Sequence, residues 1–157
     1  MRVDIVARST AACVLVAALL AAPASAHVTL SPPDSAATRA QRFDLWVHAD
    51  GDVATTAVEL EIPPGVTVIG VIEQEGVASD SRREHGRITR IRWTRTIRPG
   101  QTLDFHFIAR DGADAALTWK AHQHSADGTV TAWVGAPDAR RPASTVRFIE
   151  ADRKSVV

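Results

Sequence analysis

The 157-residue sequence contains no tyrosine and only one cysteine, Cys13. A single thiol cannot form a disulfide within the chain, so the fold is expected to have no covalent cross-link. The formal net charge is zero, with 18 basic and 18 acidic residues, and this lack of a basic bias argues against nucleic-acid binding. No apolar run reaches the roughly 20 residues that a membrane-spanning helix needs.

The first 26 residues have the order of a secretory signal peptide, namely positive charge, a short apolar run and small residues: Arg2 and Arg8, residues 11–22, and Ala24-Ser25-Ala26. We expect cleavage after Ala26, so that Cys13 is removed and His27 becomes the first residue. A core helix or a short membrane anchor is the alternative interpretation. Cleavage leaves 131 residues, with 16 basic and 17 acidic residues, which is enough for one domain. This mature protein is predicted to be extracytoplasmic, either periplasmic or secreted, and soluble.

After residue 26, apolar and polar residues alternate over short segments that glycine and proline separate, which is typical of β-strands. The predicted strands cover residues 28–31, 42–48, 56–62, 66–72, 88–94, 103–109, 116–124, 129–134 and 145–149. Asp127-Gly128 is predicted to be a hairpin turn. No segment beyond the signal shows a sustained helical period. We therefore expect an all-β fold, an antiparallel β-sandwich of the immunoglobulin or cupredoxin-like kind, over residues 27–150, with a frayed tail at 151–157.

The same alternation predicts which side chains are buried. Trp93 and Trp119 occupy apolar strand positions and are expected to anchor the core. Arg90 and Arg92 alternate with buried positions and are expected on a solvated strand face.

An amino-terminal His27 would give the mature chain a chelating end. The α-amine and the imidazole of one residue can bind the same copper ion in a six-membered ring, which an internal histidine cannot do. With one carboxylate added, the donor set of two nitrogens and one oxygen suits tetragonal Cu(II). The alternative is that His27 is an ordinary frayed terminus.

Several motifs follow one another in a defined order: His27-Val28-Thr29-Leu30-Ser31-Pro32, the run from Val58 to Val66, Ile88 to Thr94, Leu117 to Gln123, and Asp127 to Gly135. Their order and spacing resemble the YcnI-like copper-binding domain family of exported bacterial proteins, over nearly the whole mature chain. The resemblance implies an all-β domain outside the cytoplasmic membrane that binds copper through a single-histidine brace. In such a brace the amino-terminal histidine chelates, a carboxylate completes the site, and a tryptophan lies close by.

Carried over to this sequence, the resemblance implies His27 as the chelating residue and Trp133 as the nearby tryptophan. The family often has Val-Pro-Asn-Glu where this chain has Val47-His48-Ala49-Asp50, so Asp50 stands in for the glutamate. Asp104 matches a second acidic or amide position and remains the alternative carboxylate. Antiparallel pairing of the first two predicted strands would bring Asp50 near His27, although Asp50-Gly51 is also a common turn dipeptide.

The sequence departs from the family at two places. The Pro-Gly-Trp turn is missing between Val77 and Gly86, and His122 and His124 replace the usual aromatic pair. These two histidines lie two residues apart and therefore share one strand face. They could form a second metal site, supply the further histidine of a two-histidine brace, or simply be exposed on a solvated face.

The sequence thus favours a non-enzymatic, exported copper-binding protein that acts as a chaperone or store in copper homeostasis. Its expected partners are the copper ion and a membrane copper transporter or another exported copper chaperone, with no nucleic acid. The sequence contains no nucleophile elbow, phosphate loop or separate catalytic set. Two alternatives stay open: a copper monooxygenase of the histidine-brace type, and a metal-free immunoglobulin-like interaction module.

Overall fold

The computed structural model describes residues 28–113 and 115–150. The predicted signal peptide, His27 and the predicted tail at 151–157 lie outside these residues. The described part contains these strands: β1 Val28–Ser31, β2 Asp34–Ala36, β3 Gln41–His48, β4 Thr55–Glu61, β5 Val66–Val71, β6 Ala78–Glu84, β7 Arg87–Ile97, β8 Thr102–Asp111, β9 Ala115–Trp119, β10 Ala121–Ser125, β11 Val130–Trp133 and β12 Ser144–Ile149. Within it, no helix is long and apolar enough to cross a membrane.

The strands form three sheets. A four-stranded sheet has the order β1-β3-β8-β5, a five-stranded sheet has the order β11-β10-β4-β7-β6, and a three-stranded sheet has the order β2-β12-β9. Neighbouring strands pair antiparallel, except that β2 and β12 run parallel. The expected all-β, antiparallel architecture is confirmed.

The core lies where the apolar faces of the three sheets meet. Phe43 of β3 and Phe107 of β8 stack with ring centroids 5.5 Å apart, and Trp93 of β7 stacks on Phe105 at 5.6 Å. Trp119 of β9 packs against Phe43 at 5.8 Å. Trp93 and Trp119 are almost completely buried, as the alternation predicts. Large aromatic side chains therefore join all three sheets into one core.

The segment predicted as a single strand over 116–124 is two strands in different sheets. β9 pairs with β12, whereas β10 pairs with β4 and β11. Lys120 separates them, and its carbonyl accepts a hydrogen bond from the Glu61 N–H at 2.9 Å. The chain thus passes from the three-stranded to the five-stranded sheet at Lys120. Strands β2 and β6 have no counterpart in the sequence prediction.

The hairpin turn at Asp127-Gly128 is confirmed. Gly128 has a φ of 85°, and its N–H donates to the Ser125 carbonyl at 3.0 Å. The Asp127 carboxylate accepts the Thr129 N–H at 2.9 Å, and this backbone hydrogen bond lowers the pKa of Asp127. The turn connects β10 to β11, the strand that carries Trp133.

Candidate metal centre

The described chain begins at Val28 of β1, the residue that follows the predicted ligand His27 in the sequence. Val28 pairs with Val47 of β3, so the two strands run antiparallel as expected. Ser144 of β12 holds β1 from the other side: its hydroxyl donates to the Val28 carbonyl and accepts the Leu30 N–H, both at 3.1 Å. His27, the predicted ligand, lies outside the described residues.

Asp50 follows the end of β3 and belongs to a short loop that is fixed to the neighbouring turn. The Ala49 N–H donates to the Gln101 carbonyl at 2.9 Å, and the Gly100 N–H donates to the Ala49 carbonyl at 2.7 Å. Gly51 adopts a φ of 68°, so the Asp50-Gly51 turn is also present. The Asp50 side chain is 45% exposed, and its carboxylate is therefore available to a ligand.

His48, which the sequence reasoning left without a role, is the partner of Asp50. Its Nε2 lies 3.4 Å from Asp50 Oδ1, and its Nδ1 lies 2.8 Å from the Thr102 hydroxyl. The signal that could have identified this pair is the spacing His48-Ala49-Asp50, in which His48 itself occupies an outward-facing strand position. In β3 the side chains of Phe43, Leu45 and Val47 point to the core, and His48 points to the opposite face.

Trp133 lies inside the domain and is connected to the same loop through Gln123. The indole Nε1–H of Trp133 donates to Gln123 Oε1 at 3.1 Å. The Gln123 amide group donates to the His48 carbonyl at 2.9 Å and to the Thr55 hydroxyl at 2.6 Å. Trp133 is 4% exposed and belongs to the core cluster. Gln123 thus fixes both ends of the loop that carries Asp50 relative to Trp133.

Asp104, the alternative carboxylate, lies on β8, which is not a direct neighbour of β1 in the four-stranded sheet. It faces Trp46 of β3, which in turn faces Thr29 of β1, so two strand spacings of about 5 Å each separate Asp104 from β1. Its Oδ2 lies 3.5 Å from His106 Nε2. Asp50, by contrast, follows β3, the strand that pairs directly with β1.

His106 lies between two carboxylates, since its Nδ1 is 2.7 Å from Asp44 Oδ1. Arg42 donates to the same oxygen at 2.8 Å. Partial burial alone would raise the pKa of Asp44, but the hydrogen bonds from Arg42 and His106 outweigh it and lower the pKa. Asp44, Arg42 and His106 thus form an ion-pair cluster of their own.

His122 and His124 share the outer face of β10, as their spacing predicts. His122 Nε2 lies 2.7 Å from Glu61 Oε1, and His124 Nε2 lies 3.3 Å from Glu59 Oε1. Arg92 also donates to Glu59, and Arg90 donates to Glu59 Oε2 at 2.9 Å. Both histidines are thus engaged in a network in which arginines already neutralise the carboxylates.

Burial would raise the pKa of Glu59, but the Arg92 hydrogen bond and the charges of His124, Arg90 and Arg92 together lower it.

Across residues 28–113 and 115–150, no group of three or more histidine, cysteine or acidic side chains is arranged to hold a metal ion. The described residues of the candidate centre supply at most the carboxylate of Asp50 and the imidazole of His48. A complete donor set there needs the nitrogens predicted for His27.

One protein family and one named relative match the sequence of this chain. The family described as "Domain of unknown function (DUF1775)" matches residues 27–148. The chain is 31% identical over 135 residues to the copper-binding protein CutI of Bacillus subtilis, a match that covers 83% of this chain. The chain spans 66% of the length of that relative.

Two solved structures have a similar fold. A Nocardia farcinica protein, described as uncharacterized with an immunoglobulin-like fold, aligns with a TM-score of 0.70 at 24% identity, over 79% of this chain and 99% of that one. A non-cellulosomal cohesin from Archaeoglobus fulgidus aligns with a TM-score of 0.50 at 14% identity, over 79% and 91% of the two chains. The expected immunoglobulin-like fold is confirmed.

Proposed function

We propose that this chain is an exported copper-binding protein. The premise is that it belongs to the DUF1775 family, which is the YcnI-like family that its motifs resemble. The observation that supports the proposal is a set of hydrogen bonds at the end of β3. There the loop with Asp50, and Trp133 held through Gln123, are connected by hydrogen bonds to the end of β3 that pairs with Val28. The name of the Bacillus relative supports copper as the ligand.

The donor chemistry fits Cu(II). His27, once it is the amino terminus, would supply the α-amine and the imidazole, and Asp50 would supply a carboxylate oxygen. Both nitrogens must be deprotonated to bind the metal, and a free α-amine titrates at about 7.7–8.0. Copper binding should therefore release protons and weaken as the pH falls below neutrality.

Trp133 would form the inner wall of this centre. Its buried indole cannot rotate freely, because Nε1–H is bonded to Gln123 and the ring packs in the core cluster. A rigid apolar wall next to the metal would exclude water from one side of the site. This role differs from that of Trp93 and Trp119, which lie at the junction of the sheets.

We infer further that the protein acts as a chaperone or store, after export and cleavage behind Ala26. A chelate formed at the mature terminus would be joined to β1, the edge strand of the four-stranded sheet, where a second protein could approach and exchange the ion. A membrane copper transporter or another exported copper chaperone is the class of partner that fits this role. No enzymatic activity is proposed, because the sequence offers no separate catalytic set beside these donors.

The decisive experiment compares the processed protein with a variant that carries one extra glycine before His27. The extra residue separates the α-amine from the imidazole and breaks the chelate ring, while the core is unchanged. We expect Cu(II) affinity, measured by competition with a chelator of known affinity, to fall by at least about a hundredfold, or roughly 2.7 kcal/mol. Circular dichroism should show the same fold for both proteins.

Equal affinity of the two proteins would contradict the amino-terminal site. A processed protein that retains no copper after desalting would contradict copper binding altogether and favour a metal-free interaction module. Oxygen consumption by the copper-loaded protein with ascorbate would instead favour a monooxygenase.

A further inference from the structure

The single-histidine brace gives no role to the imidazole of His48, although this side chain lies next to Asp50. His48 stands at the carboxyl end of β3, one residue beyond the partner of Val28. Its side chain is partly exposed and points away from the core. The position paired with Val28 is thus followed at once by a second potential nitrogen donor.

Two contacts orient this imidazole. Nδ1 lies 2.8 Å from the Thr102 hydroxyl, on the neighbouring strand β8, and this contact fixes the plane of the ring. Nε2 is then directed toward Asp50 Oδ1. Metal-binding histidines commonly use one ring nitrogen for the metal and the other for such an orienting partner.

The distance between Nε2 and Asp50 Oδ1 also fits two donors of one ion. At 3.4 Å it is longer than the usual 2.7–3.2 Å of a nitrogen–oxygen hydrogen bond. Two donors that each bind a metal at about 2.0–2.2 Å can lie up to about 4 Å apart. The pair is thus close enough to bind one ion together without a large movement of either side chain.

The loop that carries the pair is held in place. Gln123 donates to the His48 carbonyl, and Ala49 exchanges backbone hydrogen bonds with Gly100 and Gln101. Side chains on a fixed backbone lose little freedom when a ligand binds, which favours affinity.

We propose that His48 is a copper ligand of this chain, binding through Nε2 beside Asp50, so that the centre has two imidazoles rather than one. This inference rests on the proposed copper site at the amino terminus. It adds a residue that replaces the proline of the family pattern and that the single-histidine brace does not include.

The test counts the imidazoles on Cu(II) by pulsed electron paramagnetic resonance of the processed protein. We expect two bound imidazoles in the wild type and one in His48→Gln, which keeps a polar side chain next to Thr102. Copper affinity of His48→Gln should fall by at least about tenfold, since even the loss of an outer partner of a ligand costs 10–100-fold. His122→Gln is the matched control and should keep two imidazoles and full affinity.

One imidazole in the wild type, or unchanged affinity and spectrum in His48→Gln, would overturn the role of His48 while leaving the amino-terminal site intact. A wild type that binds no copper would overturn the proposed function itself. Should His48→Gln misfold, Thr102→Val tests the same point, because it keeps His48 and removes only the group that orients it. Its affinity should fall and its copper spectrum should change; an identical spectrum and affinity would contradict the proposal.

Discussion

At the scale of single residues, Asp50 and Asp104 differ in what already surrounds them. Asp104 lies next to His106 on the outer face of the four-stranded sheet, whereas Asp50 has only His48 as an ion-pair partner among the described residues. Asp50→Ala should weaken Cu(II) binding by about tenfold, roughly 1.4 kcal/mol, because one oxygen donor is lost and water can replace it. Asp104→Ala should leave the affinity unchanged.

Competition titrations of both variants, with melting temperatures as the control for folding, measure this difference. A larger loss in Asp104→Ala than in Asp50→Ala would move the carboxylate donor to β8. The two substitutions remove the same group, so their comparison separates metal ligation from a general loss of negative charge.

The antiparallel pairing of β1 and β3, from which Asp50 was predicted as the carboxylate, is confirmed, whereas the ligand role of Asp50 stays a prediction. Neither the resemblance nor strand geometry pointed to the contacts of His48 or Gln123. A glutamine in a strand is normally read as exposed, yet Gln123 is buried, because its amide satisfies Trp133, the His48 carbonyl and Thr55 at once. Such a role depends on three segments meeting in space, which no local pattern records.

At the scale of strands, the network on the outer face of the five-stranded sheet joins β4, β7 and β10. Glu59, 15% exposed, accepts hydrogen bonds from Arg90 and Arg92, and these partners lower its pKa despite burial. A carboxyl group whose pKa is lowered on folding stabilises the protein above its unfolded pKa, and loses this effect as the pH falls through its folded pKa.

Glu59→Gln should therefore lower the free energy of unfolding by about 1.5–3 kcal/mol at pH 7, the range for hydrogen bonds to charged groups. The difference from the wild type should shrink as the pH falls below about 4.3, the ordinary pKa of glutamate. Urea unfolding at several pH values measures it. Glu84→Gln, which removes an exposed ion pair with Arg82, should change stability by at most about 1 kcal/mol. A pH-independent loss in Glu59→Gln would contradict the role of its charge.

Most strands with one buried face were predicted from the sequence, and two of the errors have definite physical reasons. All side chains of β6 are exposed, so no alternation marks it, and pairing with β7 alone makes it a strand. Alternation continues unbroken through Lys120, because Trp119 and Ala121 on either side are both buried. The change of sheet at this residue is therefore invisible in the sequence.

At the scale of the whole molecule, the fold and the proposed function depend on different parts of the chain. Three sheets share one aromatic core, and the core residues of the described part lie between Val28 and Phe148. Immunoglobulin-like folds occur with many functions, so the fold alone does not imply copper. The copper chemistry proposed here requires one covalent event, the removal of residues 1–26.

We expect that event to occur between Ala26 and His27, because the peptidase accepts small residues at the end of Ala24-Ser25-Ala26. Intact-mass measurement of the protein exported by a bacterial host should give a chain that begins at His27. Ala26→Arg should block processing and retain the precursor, whereas Ala22→Gly, outside the three small residues, should be processed normally. Copper should raise the melting temperature of the protein cleaved before His27 and not that of the Ala26→Arg precursor, since only the former has the chelating terminus. A mature mass that starts at any other residue would remove the α-amine of His27 from the site, and with it the proposed chelate.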